Sequence, residues 1–476
     1  MTHLPFIIAG QPVDSKDTFE VVNPATGQPF ATAPVATPED LDRAVAAART
    51  AFKSWSFLPV QTRREAILAI GNKIAANGEL LANLITREQG KPLGGFARLG
   101  SRFEVDVAAK WCEATAQMEM PPDVLMDGEQ GRIELHRKPI GVVGSITPWN
   151  WPLMIAIWHI IPAIYAGNAV VIKPSSLTPL ATLKLVELAN EVLPAGVLNI
   201  VSGEGGLGRA MASHAGIDKI VFTGSTQTGK SIMAGAAETL KRLTLELGGN
   251  DAGIVLPGAN ISEIAPQIFG GAFINNGQTC AALKRLYVHD SQYDDMCGAL
   301  ASIAKSVTVG DGLDDGTDFG PVQNASQLAF VANLAQQAQR DGGQFLTGGT
   351  SPLQDNGYFF APTIVAGLCD GHALVDEEPF GPILPVIRYS DEQDVLARSN
   401  ENPNGLGGSV WSADIEHAKV IAAQMECGTV WINGHGGLNP FAPFGGVKQS
   451  GFGVEFGVEG LKECTLPQTI HLPAST

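Results

Sequence analysis

The chain has 476 residues, of which 45% are hydrophobic and 17% are charged. This composition is typical of a globular protein with more than one core, and it excludes an intrinsically disordered chain. The formal net charge of -17 comes without a cluster of lysines and arginines, which argues against nucleic-acid binding. No apolar run is long enough to span a bilayer, and the first residues lack the pattern of an export signal. The sequence therefore predicts no membrane partner and a cytoplasmic location.

Six cysteines lie far apart without paired spacing, which disfavours both zinc sites and a disulfide framework. We therefore expect no bound metal and a reducing compartment. One cysteine, Cys280, follows the turn at residues 277–279 instead of lying inside an apolar run. A thiol at a chain reversal is a candidate nucleophile, although most cysteines are small, buried hydrophobic residues.

The predicted elements change character along the chain. Residues 1–37 predict short edge strands and turns, and Ala- and Leu-rich periodicity predicts helices from residue 38 to about residue 118. A hairpin is expected over residues 119–138, around Asp127-Gly128.

From Ile140 onward, short apolar runs alternate with helical patterns, which predicts two parallel, doubly wound sheets. Strands are expected near residues 141–146, 169–172, 197–201 and 219–222, and in a second series near 252–256, 286–288, 360–365, 406–411 and 429–433. Residues 465–472 predict an extended tail, whose unpaired edge would favour pairing with another subunit.

Two strand ends present groups that suit a cofactor. Lys173 follows a buried strand, and ligands bind at the carboxyl ends of parallel strands in such sheets. The turn at 222–230 passes from strand to helix with Ser225 at the N-cap, where free N–H groups would meet a pyrophosphate. A literal G-x-G-x-x-G at residues 203–208 lacks an acid at the end of the next strand and is weak evidence for a dinucleotide. A lysine that reaches solvent and a plain capped helix remain alternatives.

Two further strand ends carry groups that suit catalysis. The loop at 147–152 holds Asn150 between two prolines and two tryptophans, so its amide is a rigid donor for a developing oxyanion. Glu246 is a lone acid at an apolar strand end, where partial desolvation would raise its pKa and make it a usable base. A turn with aromatic packing and a solvated edge acid remain the alternatives.

Seven motifs taken together resemble the aldehyde dehydrogenase superfamily, of the NAD(P)-dependent, hydrolytic type. They occur in the family's order and spacing, cover essentially the whole chain, and are Pro-Trp-Asn at 148–150, Lys-Pro-Ser at 173–175, Phe-Thr-Gly-Ser at 222–225, Leu-Glu-Leu-Gly-Gly at 245–249, Gly-Gln-Thr-Cys at 277–280, Glu-Glu-Pro-Phe-Gly-Pro at 377–382 and Pro-Phe-Gly-Gly-Val-Lys-Gln-Ser-Gly at 443–451.

The resemblance implies an α/β fold with two parallel-sheet, Rossmann-like βα domains and a small β oligomerisation element. The implied parts are an NAD(P)-binding domain of residues 1–118 and 139–247, a catalytic domain of residues 248–434, an oligomerisation hairpin and tail of residues 119–138 and 455–476, and a substrate and domain-linking loop of residues 435–454. A homodimer or homotetramer is expected.

The resemblance also implies the reaction and its residues. The Cys280 thiolate attacks an aldehyde, the cysteine N–H and the Asn150 amide hold the oxyanion, and Glu246 activates the water that hydrolyses the thioester. The cofactor is NAD or NADP, and the residues implied to bind it are Trp149, Lys173, Ser176, Gly224, Ser225, Gly229, Glu378 and Phe380. The residues implied to line the aldehyde site are Trp151, Ile155, Trp158, Thr279, Ala281 and Phe441.

Several positions refine this expectation. Ser176 stands where NAD-preferring members often carry a glutamate, so a 2′-phosphate meets no repulsion and NADP is tolerated. The tryptophans and Phe441 favour an apolar or aromatic aldehyde. His435, in the loop before Pro443, is expected to contact water, with substrate contact as the alternative.

Three other functions stay open. A semialdehyde dehydrogenase would use the same mechanism, although no arginine stands where a carboxylate anchor is expected. A cysteine hydrolase would need a histidine base, and no motif marks one of the nine histidines for that role. A non-enzymatic protein with this fold would be expected to lose Cys280, Glu246 or Asn150, and all three are present.

Overall fold

The computed structural model describes residues 2–353 and 356–473. Its α-helices are α1 Pro38–Trp55, α2 Val60–Ala76, α3 Gly78–Gln89, α4 Ser101–Ala116, α5 Pro152–Tyr165, α6 Leu180–Asn190, α7 Gly205–Ser213, α8 Thr226–Ala236, α9 Ile261–Phe273, α10 Tyr293–Ser306, α11 Ala325–Arg340, α12 Ala373–Asp376, α13 Glu392–Glu401, α14 Ile415–Ala422 and α15 Gly457–Glu463.

The strands alternate with these helices in most of the chain. They are β1 Thr2–His3, β2 Phe6–Ile8, β3 Gln11–Val13, β4 Thr18–Asn23, β5 Gln28–Pro34, β6 Asp123–Gly128, β7 Gly131–Pro139, β8 Val142–Ile146, β9 Ala169–Lys173, β10 Leu198–Ile200, β11 Lys219–Thr223, β12 Arg242–Glu246, β13 Asp251–Val255, β14 Leu283–His289, β15 Gln344–Phe345, β16 Thr363–Leu368, β17 Ile383–Tyr389, β18 Asn404–Gly405, β19 Gly407–Trp411, β20 Thr429–Ile432, β21 Val447–Lys448, β22 Gly451–Phe452 and β23 Thr465–Leu472.

The first large sheet has the strand order β10-β9-β8-β11-β12-β22. Its first five strands are parallel, and β22 is an antiparallel edge. Every residue of β8, β9 and β11 is buried because α1 and α5 to α8 pack on the sheet. The strand order reverses at β8, so the loops that follow β8 and β11 leave the same carboxyl edge side by side.

The second large sheet has the order β15-β16-β17-β14-β13-β19-β20, and all its strands except β15 are parallel. Alternate residues of β14 enter different cores, as the two-residue period of a strand requires. Leu286 and Val288 pack with Phe269 and Trp411, whereas Tyr287 packs in a separate cluster. Both faces of this sheet are therefore covered, as the parallel α/β prediction requires.

Besides the two-residue strand β15, which was not predicted, two strands of the second sheet differ from the sequence prediction. The strand expected at 360–365 is β16, which lies three residues later because Pro362 cannot donate to a ladder. The strand β17 was not predicted, since Pro385 occurs inside it and proline is rare in a central strand.

A third sheet stands apart from these two and has the order β23-β7-β6. The predicted tail is the strand β23, which pairs with β7 from Thr465 opposite Pro139 to Leu472 opposite Arg132. The other edge of β23 has no partner strand in the two described ranges. Among the described helices, none has both the length and the apolar character needed to cross a membrane.

Candidate active site

A cleft forms where the chain passes from the first sheet to the second. Glu246 is the last residue of β12, and Asp251 is the first residue of β13. The carboxyl edge of the first sheet therefore faces the amino edge of the second. Cys280 lies three residues before β14 begins, which places it on that amino edge.

The turn before Cys280 has an unusual backbone. Asn275, Asn276 and Gly277 have φ values of 51°, 58° and 72°, a left-handed run that asparagine and glycine tolerate best. A Cβ at position 277 would lie 2.1 Å from the carbonyl oxygen of Gly381, so only glycine fits. The cysteine turn thus packs directly on the loop that carries Glu378 and Phe380.

The Cys280 thiol lies in a half-buried site surrounded by charged groups. Burial raises its pKa to about 12, and the Lys284 cation acts in the opposite direction. The carboxyls of Glu378, Glu246 and Asp251 are close enough to raise this pKa further. A thiol in this environment needs a base or an added cation before it can act as a nucleophile.

Asn150 is held against the cysteine turn. Its side chain is buried, and its Nδ2 donates to the carbonyl oxygen of Gln278 at 2.9 Å. Its own carbonyl oxygen accepts from Asn275 Nδ2 at 2.8 Å. The amide predicted as an oxyanion donor is therefore fixed two residues away from Cys280.

A buried ion pair supports the Asn150 loop from behind. Lys91 Nζ donates to Glu104 Oε2 at 2.5 Å and to the Asn150 carbonyl at 3.1 Å, and it lies 3.4 Å from the ring centre of Trp151. Glu104 Oε1 accepts the N–H groups of Leu153 and Met154 at 2.9 and 3.1 Å. These N–H groups belong to the first turn of α5 and have no partner within the helix, so Glu104 caps the helix N-terminus.

Glu246 is the most isolated acid of the cleft. It is buried, and within the described structure neither carboxylate oxygen has a hydrogen-bond partner. Burial raises its pKa well above the usual value, and the nearby Glu455 carboxyl raises it further. Glu455 Oε1 lies 3.2 Å from His159 Nε2, and that buried ring also contacts Thr223 Oγ1 and Ser145 Oγ. Glu455, His159, Thr223 and Ser145 therefore form a buried polar cluster, which acts on Glu246 through the Glu455 charge.

One cavity of about 250 Å³ joins most of these groups. Cys280, Asn150 and Glu378 line it together with Gly248, Phe380, Trp149, Gly224 and Ser225. The Phe380 and Trp149 rings meet edge to face with centroids 5.3 Å apart. Residues from five separate motifs thus converge on one space.

A second, open groove of about 750 Å³ continues along the carboxyl edge of the first sheet. Lys173, Ser176, Gly224 and Ser225 line it, as does Arg209 of α7. Burial lowers the pKa of Lys173 to about 8. Ser225 caps α8 by accepting the Thr228 N–H at 3.3 Å, so the helix start opens on the groove.

Of three glycines near this groove, two line it and one does not. Gly229 is buried one turn into α8, where a Cβ would come within 2.6 Å of Leu247, and it lies outside the groove lining. Gly205 and Gly208 of the G-x-G-x-x-G sequence do line the groove. That sequence therefore borders the predicted cofactor region, although no acid follows it.

None of the six predicted aldehyde-binding residues lines the 250 Å³ cavity at Cys280. Trp151, Ile155 and Trp158 are buried, and Cys280 packs against the same core. Trp151 Nε1 donates to Thr279 Oγ1 at 3.0 Å, which ties α5 to the cysteine turn. The aromatic rings clustered here are Trp111, Trp158, Phe444 and Phe456. Ala281 is buried, whereas 53% of the Phe441 surface is exposed.

His435 does not contact water, contrary to the expectation from its loop position. Its side chain is fully buried, with Nδ1 3.0 Å from Ser409 Oγ and Nε2 3.7 Å from Asp251 Oδ2. The His435 side chain fits here because position 271 is a glycine. A Cβ at Gly271 would come within 3.0 Å of His435. Burial lowers the pKa of His435 to about 3, so the ring is neutral.

Sequence reasoning missed several polar residues of the site. Lys91, Glu104 and Glu455 are buried, and the sequence offered only the signal that charged residues stood among apolar ones. Arg209 stands in α7, which begins at Gly205 inside the G-x-G-x-x-G sequence. Lys284 follows Cys280 by four residues, which is a spacing that could have drawn attention to it.

Comparison with known proteins gives the family. The sequence model of the aldehyde dehydrogenase family matches residues 12–470. The chain belongs to this family. It is 37% identical to a phenylacetaldehyde dehydrogenase of Pseudomonas fluorescens, over 98% of this chain and 95% of the relative.

Solved structures of the aldehyde dehydrogenase family have the same fold. An NAD+ complex of an aldehyde dehydrogenase from Bacillus cereus matches with a TM-score of 0.95 and 34% identity, covering 100% of this chain and 97% of that one. A variant of AldC from Pseudomonas syringae, in complex with NAD+ and octanal, matches with a TM-score of 0.93 and 34% identity over 98% and 96% of the two chains. The predicted α/β aldehyde dehydrogenase fold is confirmed, and the chain is an aldehyde dehydrogenase.

Proposed function

We propose that this enzyme oxidises an apolar or aromatic aldehyde to the carboxylic acid, with NAD+ or NADP+ as oxidant and through a thioester on Cys280. The observation that carries the proposal is the single cavity shared by Cys280, Asn150 and Glu378, with Glu246 close enough to influence the thiol. A nucleophile, an oxyanion donor, a base and a cofactor contact are the groups that this reaction needs.

In the first half of the proposed reaction, Cys280 loses its proton to solvent, and the resulting thiolate attacks the aldehyde carbon. The oxygen of the resulting thiohemiacetal becomes negative, and the Cys280 N–H and Asn150 Nδ2 hydrogen-bond to it. Asn150 suits this role because two backbone contacts and the Lys91–Glu104 pair already fix its loop. A donor that needs no reorganisation lowers the barrier most.

In the second half, water hydrolyses the thioester and Glu246 takes its proton. Within the described part of the chain, neither carboxylate oxygen of Glu246 has a hydrogen-bond partner, so both can accept from water. Its raised pKa makes it a stronger base once it has lost its proton. Glu455, whose charge acts on Glu246, and His159 next to Glu455 are the groups that could receive that proton afterwards.

The residues of the two cavities fit a nicotinamide dinucleotide. The α8 N-terminus at Ser225 suits a pyrophosphate, Lys173 and Ser176 suit the adenosine ribose, and Glu378 suits the second ribose. Carboxylate repulsion at position 176 is absent, and Arg209 adds a cation to the lining of the same groove, so we expect NADP+ to be accepted. When bound, the cofactor accepts the hydride from the carbon attached to Cys280.

The apolar wall beside Cys280 favours an aldehyde without charge. The relatives named above act on or bind phenylacetaldehyde and octanal, which supports an aromatic or long-chain substrate here. A semialdehyde dehydrogenase with the same mechanism is the second candidate.

We also propose a cytoplasmic homodimer or homotetramer, and the division of the chain into cofactor, catalytic and oligomerisation parts given above.

The proposal is tested by turnover of purified enzyme with a panel of aromatic, aliphatic and carboxylated aldehydes. We expect one reduced nicotinamide and one carboxylic acid for each aldehyde consumed, with the highest kcat/KM for the uncharged members. Higher kcat/KM for the carboxylated aldehydes would favour the semialdehyde alternative. An enzyme that reduces neither NAD+ nor NADP+ with any aldehyde would contradict the proposed reaction.

A further inference from the structure

Lys284, on β14, uses all its hydrogen-bonding capacity inside the catalytic cleft. Its side chain is 3% exposed. Its Nζ donates to the carbonyl oxygen of Gly249 at 2.9 Å, to that of Cys280, and to Glu378 Oε1 at 2.7 Å. An ammonium group has three N–H donors, and each has a partner here. A buried lysine is stable only with such pairing.

The Glu378 carboxylate is held in one orientation by these contacts. Besides Lys284, its Oε1 accepts the Gly249 N–H at 3.2 Å. Its Oε2 lies directly against Gly248, where an added Cβ would approach to 2.3 Å. Gly248 and Glu378 line the same cavity as Cys280. One carboxylate oxygen is therefore tied back to the protein, which leaves the other available to a ligand in the cavity.

We propose that Lys284 is a positioning residue that fixes the cofactor-binding carboxylate of Glu378 relative to the Cys280 loop. The inference rests on the proposed roles of Glu378 and Cys280. Hydride transfer requires the nicotinamide and the carbon on the thiol to be positioned relative to each other with an error of only a fraction of an ångström. One cation that binds both loops fixes this relative position. Lys284 touches neither reacting atom, so it acts through its two partners.

The Lys284 charge has a second effect, on the thiol. It is the nearby cation that opposes the upward pKa shift of Cys280. The acids that act against it are Glu378, Glu246 and Asp251, and the neutral His435 ring also faces Lys284. Loss of the cation leaves these acids uncompensated, so the thiol ionises at higher pH.

The variant Lys284→Met keeps the length of the side chain and removes its charge and donors. We expect the Kd and the KM for NAD+ to rise about tenfold, as for the loss of a charge-assisted hydrogen bond. We also expect the pH at which iodoacetamide alkylates Cys280 half-maximally to increase. NAD+ binding is measured by tryptophan fluorescence quenching without aldehyde.

Lys219→Met is the matched control. Lys219 is an equally buried lysine that donates to Thr244 Oγ1 at 2.6 Å and to the Glu463 carbonyl at 2.9 Å, at the end of β11 away from the cleft. We expect it to lower the unfolding temperature as much as Lys284→Met does, without changing NAD+ binding or thiol alkylation. Unchanged NAD+ binding and alkylation in folded Lys284→Met would overturn the inference.

A double variant separates positioning through Glu378 from a general effect. In a Glu378→Gln background, Lys284→Met is expected to raise the Kd for NAD+ less than about twofold, because the contact is already weakened. A full tenfold rise there would overturn the positioning role. A wild-type enzyme that neither binds nor reduces NAD+ or NADP+ would instead overturn the proposed function, and the inference with it.

Discussion

Glu246 and Glu455 are two buried acids whose charges interact, and this pairing has a consequence for the pH dependence of catalysis. The Glu246 pKa is raised first by burial and then by the Glu455 charge. A base with a raised pKa is protonated at low pH, and it becomes active only as the pH rises through that pKa. The steady-state rate should therefore increase toward alkaline pH.

The first prediction concerns Glu455→Gln, which removes one of the two causes of the Glu246 shift. The Glu246 pKa falls, so the rising limb of the kcat profile moves to lower pH. The profile of kcat against pH measures this shift. Glu191→Gln, at an acid paired with Lys73 on the surface, is the control and should leave the profile in place. An unmoved profile in Glu455→Gln would contradict the coupling.

The second prediction concerns the two cofactors. Arg209→Ala should lower kcat/KM for NADP+ about tenfold and leave NAD+ nearly unchanged, because only NADP+ carries a 2′-phosphate for the guanidinium. Wild-type kcat/KM should favour NAD+ by less than about a hundredfold. Steady-state kinetics with both cofactors test this, with Arg242→Ala as control. Equal losses with NAD+ and NADP+ would contradict a 2′-phosphate contact.

At the scale of elements, the Asn150 loop depends on a helix start and a buried ion pair. Glu104 accepts the first N–H groups of α5, and Lys91 balances its charge while holding the Asn150 carbonyl. Both side chains are at most 1% exposed, so neither charge has water as a substitute partner. The loop is thereby rigid before any ligand binds.

The third prediction follows from that pair. Lys91→Met should lower the free energy of unfolding by about 3–5 kcal/mol, because the Glu104 charge stays buried without its partner. Urea unfolding measures the loss. Lys73→Met breaks the exposed pair with Glu191 and should cost less than about 1 kcal/mol. Equal losses in the two variants would show that burial of the pair has no special effect.

The sequence predicted elements better than it predicted buried contacts. The helical region, the hairpin and most strands of both sheets were predicted from the periodicity of the sequence. The strand β17 was not predicted because it contains Pro385. The Lys91–Glu104 ion pair was not predicted because it depends on how α3 and α4 pack, and no local sequence pattern indicates that packing. His435 was misplaced because a glycine-rich loop carries no periodicity that separates buried from exposed positions.

At the scale of the whole molecule, two sheet edges and an apolar hairpin point outward. In the described residues, the sheet β23-β7-β6 has β23 at one edge and β6 at the other, and Val124, Leu125 and Met126 of β6 are 49%, 58% and 38% exposed. The strand β20 ends the second large sheet, and all four of its residues are half-buried. Unpaired edges next to exposed apolar side chains favour pairing between copies of the chain.

The fourth prediction tests that pairing. The wild-type enzyme should have the mass of a dimer or tetramer, and Leu125→Asp should reduce it because a buried aspartate would oppose association. Light scattering after size exclusion gives both masses. Leu240→Asp changes an apolar residue that is 90% exposed elsewhere and should leave the mass unchanged. A monomeric wild type would contradict the assembly.

The proposed reaction depends most on a covalent thioester that Cys280 forms and Glu246 helps to hydrolyse. The most direct measurement is a rapid-mixing experiment that follows reduced nicotinamide in Glu246→Gln and Cys280→Ala. Glu246→Gln should release about one equivalent of reduced nicotinamide in a burst and then nearly stop, since oxidation precedes the step that needs the base. Cys280→Ala should give neither burst nor turnover. Full steady-state turnover by Glu246→Gln, or a burst from Cys280→Ala, would contradict the mechanism.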